Sequence, residues 1–161
     1  MESSVQGRSG DVASDLFVIL VTVGQLIFFT FYHKYIAWYT RAVDGSISRI
    51  SVLTDDYFAW LPFPIAASII VIVASAVMIV WDNYWFRQIG WIVFCLCGIA
   101  VTVSLLTIFP FDFSVIPNAN AAKVVPMVVT GFFAFMAVFY GTTALVMFVQ
   151  LIRYAPRIPA S

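Results

Sequence analysis

The sequence predicts an all-α polytopic integral membrane protein, with four transmembrane helices in a compact bundle. Three observations carry that expectation. Of its 161 residues, 63% are hydrophobic and 10% charged, against about 25% charged in ordinary soluble domains. The charged residues leave four uncharged runs, Leu16–Tyr32, Tyr57–Trp81, Gln88–Phe111 and Val124–Ile152, of 17, 25, 24 and 29 residues. A helix needs roughly 20 apolar residues to cross about 30 Å of hydrocarbon. Finally, the run Ile69-Ile70-Val71-Ile72-Val73-Ala74 lacks the lipid-to-lumen alternation of a barrel strand. Lipid requires local backbone hydrogen bonding and so selects helix despite the β-branched side chains.

The expected spans are 14–34, 59–81, 88–110 and 125–152, in one membrane domain covering 1–161. The first lengthens toward Val12, with Asp15 near its N-terminus complementing the helix dipole. Only Arg8 precedes it among three acids and Gln25 interrupts its centre, so it reads as a retained helix and not a secretory leader. The second opens near Pro62 and Pro64, with Pro64 suited to a first turn. The third stops at Phe109-Pro110, because a residue before proline avoids the helical region. Pro126 suits the first turn of the fourth.

Between the spans, 33–56 is the only loop long enough for an amphipathic interfacial helix. Tyr35, Trp38 and Tyr39 would anchor it and Lys34 and Arg41 reach head groups; an ordinary polar connection is the equal alternative. A tight turn is expected from Asp82 to Arg87, and an extended tail over 155–161. The two membrane faces carry four Lys or Arg each, so the positive-inside rule assigns no orientation and no organelle follows. The balanced net charge implies no nucleic-acid partner.

Chemistry inside a membrane calls for ionisable residues within the spans, and these uncharged cores hold none. The single histidine, His33, cannot build a multi-histidine iron site or hold a haem between two histidines. Cys95 and Cys97 lie about 200° apart on a helix, which favours packing over a shared metal or disulfide. No catalytic residue, cofactor or metal is therefore expected. Gln25 and Gln150 are the strongest polar features, with Ser68 and Thr102 among the available partners. Small residues four apart, Gly98 with Thr102, Thr130 with Ala134 and Ala137 with Gly141, mark candidate packing stripes. His33, Lys34, Trp38 and Asp112 are candidate lipid head-group contacts. Asp112, Asn118 and Asn120 also suit helix caps and turns.

The stretch Gly98 to Asp112, a helix glycine followed by an apolar run and Phe109-Pro110-Phe111-Asp112, resembles the end of a central helix in DRAM-like and related multi-helix membrane families. The similarity extends into the start of the last helix. Asn118 or Asn120 stands where those families would place a loop histidine, and they have more than four helices. The resemblance implies a non-enzymatic membrane role.

The expected function is a small non-catalytic structural or accessory protein, packing with membrane lipids and with other integral membrane subunits or itself. Two alternatives stand beside it. A self-assembling channel or transport protein would arrange Gln25, Ser68 or Thr102 around a central axis. A lipid-modifying enzyme would bring His33 to Asp55 or Asp56, or use Asp112, in an interfacial cleft.

Overall fold

The computed structural model describes residues 2–41, 45–81 and 83–154, the side chains of 2–11 and of Tyr154 excepted. Asp82 and the tail 155–161 lie outside the described residues. Helix α1 runs Glu2–Ile27 and continues through a π-helical turn, Phe28–Tyr32, into a 3-10 turn, His33–Tyr35. Strands β1 (Ala37–Arg41) and β2 (Ile47–Ser51) follow, then α2 (Asp56–Trp60), α3 (Pro62–Val80), α4 (Tyr84–Ile108), a 3-10 turn (Phe113–Val115) and α5 (Ala119–Tyr154). Four helices are long and apolar enough to cross a membrane: Val12–Tyr35, Asp56–Val80, Tyr84–Ile108 and Ala119–Arg153.

Several local expectations change against this frame. Asp15 is not at a helix start. It lies midway along α1, is 1% exposed, and accepts a hydrogen bond from Arg87 on α4 at 3.0 Å. The loop after α1 is neither an interfacial helix nor a plain connection. It pairs Ala37–Arg41 antiparallel with Ile47–Ser51, placing Trp38 opposite Ile50 and Tyr39 opposite Arg49. Aromatic and β-branched side chains in five-residue runs suit such a pleated ribbon, and Gly45, at φ 84°, takes the left-handed step into β2.

Proline placement shifts in one helix only. Pro62 opens α3, and Pro64 falls in the same first turn, as expected. α5 starts seven residues before Pro126, which is inside the helix. Its cap is Asn118, whose Oδ1 accepts from the backbone N–H of Asn120 at 2.9 Å and of Ala121 at 3.3 Å. Asn120 itself lies in the helix. The α4 stop falls where proline demands it: Phe109 turns to φ 44° and its N–H reaches the Leu105 carbonyl at 2.8 Å. Asp112 caps the next 3-10 turn, accepting from the Ser114 N–H at 2.9 Å.

The spans pack in a row. α1 lies on α3, α3 on α4 and α4 on α5, while α1 and α5 make no comparable contact. At one end the hairpin is tied to the α4–α5 connection, with the Asp112 N–H donating to Val52 O at 2.8 Å and the Thr54 N–H to Pro110 O at 3.1 Å.

Candidate functional site

An open row of helices leaves a space along its inner side. A cavity of about 260 Å³ lies there, bounded by all four spans. Thr22 and Gln25 of α1, Ser68 of α3, Gly98 and Thr102 of α4, and Phe132 and Tyr140 of α5 are on its wall. Its hairpin end is closed by Ile36, Leu53 and Phe111, of which Leu53 and Phe111 pair as an isolated β-bridge.

The wall near that end is a connected aromatic group. Phe29 meets Trp60 edge to face at 5.3 Å, and Tyr57 meets Trp60 at 5.6 Å. Two hydrogen bonds pin these rings to neighbouring helices: Tyr57 Oη donates to Phe29 O at 2.7 Å, and Trp60 Nε1 to Val101 O at 3.4 Å. Buried Tyr and Trp need such partners for their polar ends.

The polar side chains divide into two kinds. Thr22 and Thr102 donate back to their own helices, to Val18 O and Gly98 O, each at 2.7 Å. Gln25, Ser68 and Tyr140 make no side-chain hydrogen bond among the described residues, although all three face the cavity. Gln25 is exposed and Ser68 buried, so the first sits at the cavity's edge and the second within it.

Of the candidate packing residues, Gly98 has the clearest reason for its identity. A Cβ there would stand 2.9 Å from the Tyr140 ring, closer than side chains tolerate. Thr102, one turn on, is buried. Ala137 and Gly141 are half-buried on α5, but a Cβ at Gly141 would meet nothing within 4 Å. That glycine faces open space among the described residues. Thr130 and Ala134 are exposed on the outer side of α5.

The candidate head-group residues come to the hairpin end but not into one site. His33 stacks on Tyr57 at 4.9 Å and places Nδ1 3.1 Å from both the Phe29 and Thr30 carbonyls. Lys34 and Arg49 lie over the Tyr35 ring, at 5.8 and 5.5 Å. Trp38 is on β1, and Asp112 is held by Ser114, whose hydrogen bonds keep that carboxyl below its ordinary range. Among the described residues, no hydrogen bond or ion pair joins His33 to Asp55, Asp56 or Asp112. Nor does any group of three His, Cys, Asp or Glu stand where it could hold a metal ion.

Sequence reasoning missed two constellations. The Asp15–Arg87 pair had a signal: both residues border apolar runs at the same membrane face. The Tyr57–Trp60–Phe29 group had none beyond aromatic abundance. No family model, curated protein or solved structure matches the chain.

Proposed function

We propose that this chain is a small non-catalytic accessory protein of a membrane, packing laterally with other membrane subunits through the outer side of α5. One observation carries the reading. No described side chain of α5 from Ala119 to Arg153 is buried, and its outer side gathers the small residues Thr130, Gly131 and Ala134. A Cβ at Gly131 would meet nothing within 4 Å. Small residues on an open helix face let a neighbouring backbone approach, which is how helices associate where lipid offers no hydrophobic driving force. The helix is also long: its 36 residues reach about 54 Å at 1.5 Å each, well beyond the hydrocarbon thickness. His33 directs its contacts to the Tyr57 ring and the Phe29 and Thr30 carbonyls and bonds no described carboxylate, which favours this reading over an interfacial enzyme.

The test is the mass of the purified assembly in nanodiscs. The native chain should run as a fixed, stoichiometric assembly that Gly131→Leu with Ala134→Leu dissociates. Ile69→Ala with Val73→Ala, at exposed positions of α3, should leave it intact. A monomer accompanied only by lipid would overturn the reading.

A second reading, a channel, draws on Gln25, Ser68 and Thr102 sharing one cavity. Against a path through a single copy, the adjoining space around Asp15, Ser75 and Met78 narrows to about 10 Å³, hardly the room of one water.

A further inference from the structure

We propose that the central cavity is a binding site for a neutral lipid bearing a hydroxyl or carbonyl group, entered sideways from the bilayer between α1 and α5. This concerns the inner side of α5 and does not depend on lateral packing through its outer side.

The route follows from the packing. α1 and α5 are the two unpaired ends of the helix row, yet both contribute to the cavity wall. Gln25 on α1 is exposed and Phe132 on α5 is 56% exposed, although each lines the same space. A residue that is at once cavity wall and outer surface marks a mouth. The hairpin end, in contrast, is covered by Leu53 and Phe111.

The ligand class follows from the wall. Its surface is mainly apolar and carries no Asp, Glu, Lys, Arg or His among the described residues, so a charged head group would lie there uncompensated. A plain hydrocarbon would offer the Gln25 amide and the Ser68 hydroxyl no hydrogen-bond partner. A hydroxyl or carbonyl answers both conditions. Gln25 can donate and accept, and Ser68, buried and without a partner among the described residues, can do the same. A volume of about 260 Å³ falls just under the roughly 300–1,000 Å³ of pockets that enclose whole drug-sized ligands. The cavity thus takes the functional end of a lipid and one length of chain, with the remainder passing through the mouth.

The experiment uses the full chain in phosphatidylcholine nanodiscs with a diazirine-bearing hexadecanol as photoprobe, labelled peptides being mapped by mass. Label should fall on α1 beside Gln25 and on α5 between Phe132 and Tyr140, and excess hexadecanol should remove it. Excess hexadecane or palmitate should not. Dioleoylglycerol and cholesterol, run as separate competitors, distinguish a glyceride from a sterol as the source of the hydroxyl. Gln25→Leu and Ser68→Ala should each weaken competition by hexadecanol about fivefold, the loss of one hydrogen bond. Labelling spread over the outer faces of α3 and α5, or equal competition by hexadecane, would overturn the proposal. So would a cavity left unlabelled because a second copy's helix occupies the mouth. Competition in the native chain decides the matter even if a variant fails to fold.

Discussion

Asp15 and Arg87, 72 residues apart in sequence, meet at 3.0 Å where α1 crosses the start of α4. Asp15 is 1% exposed and Arg87 18%, so the carboxylate depends on this neighbour for compensation. Its Oδ1 has no partner among the described residues, which makes the contact with Oδ2 more consequential. The pair joins the first span to the third, which the row of helices otherwise links mainly through α3.

Arg87→Met should therefore cost about 3–5 kcal/mol, the penalty of leaving a buried charge alone. Asp15→Asn removes that charge and should cost less. Combining the two should recover part of the Arg87→Met loss, since buried pairs replaced whole by neutral groups are often tolerated. Reversible unfolding in detergent, read as a double-mutant cycle, checks this. Additive losses would show that the two residues are not coupled.

Gly98→Ala should destabilise the bundle despite alanine's better helix propensity. The propensity gain is about 1 kcal/mol, whereas forcing a methyl against the Tyr140 ring costs about 1–3 kcal/mol. Tyr140→Leu in the Gly98→Ala background should restore much of the loss by removing the ring. Thermal denaturation of the three variants is the measurement, and a stabilised Gly98→Ala would contradict the contact.

Tyr57→Phe should cost about 1 kcal/mol, the net worth of its hydrogen bond to Phe29 O. The carbonyl keeps His33 Nδ1 within reach, 3.1 Å away, so the loss should stay small. His33→Ala in the same background should add more than it does alone, because the second partner then goes too.

Asp112 should titrate below the ordinary carboxylate value, because the Ser114 side chain and backbone N–H both bond to it. The depressed folded-state value gives the sign. The cap's contribution is present above the unfolded carboxylate pKa and disappears as pH falls through the lower, folded one. A carbon-detected NMR titration of Asp112 checks this, and a value at or above the ordinary range would contradict the cap.

The four spans were legible because burying backbone in lipid leaves few solutions, and runs such as Val124–Ile152 state that constraint outright. The Phe109-Pro110 stop was legible for an equally local reason. What escaped was whatever depends on two distant segments meeting. Trp38 and Tyr39 read as membrane anchors because their strand partners, Ile50 and Arg49, are weakly marked in a run of only five residues. Asp15 read as a dipole complement because its actual partner is on another helix. Gln25, Ser68, Gly98 and Thr102 were singled out individually for polarity or size. That they share a cavity depends on the gap between α1 and α5, which no periodicity encodes.

The π-helical turn at Phe28–Tyr32 has a consequence for how this chain can vary. An α-helix advances 100° per residue, and a π turn accommodates extra backbone without breaking the rod. Deleting one position within Phe28–Tyr32 would let the π turn close to an α turn and leave His33 on its stack. Adding a position would swing everything downstream through about 100°, and the ribbon beyond would point elsewhere. The spacing in this stretch is thus one-sided: a single deletion should be far better tolerated than a single insertion.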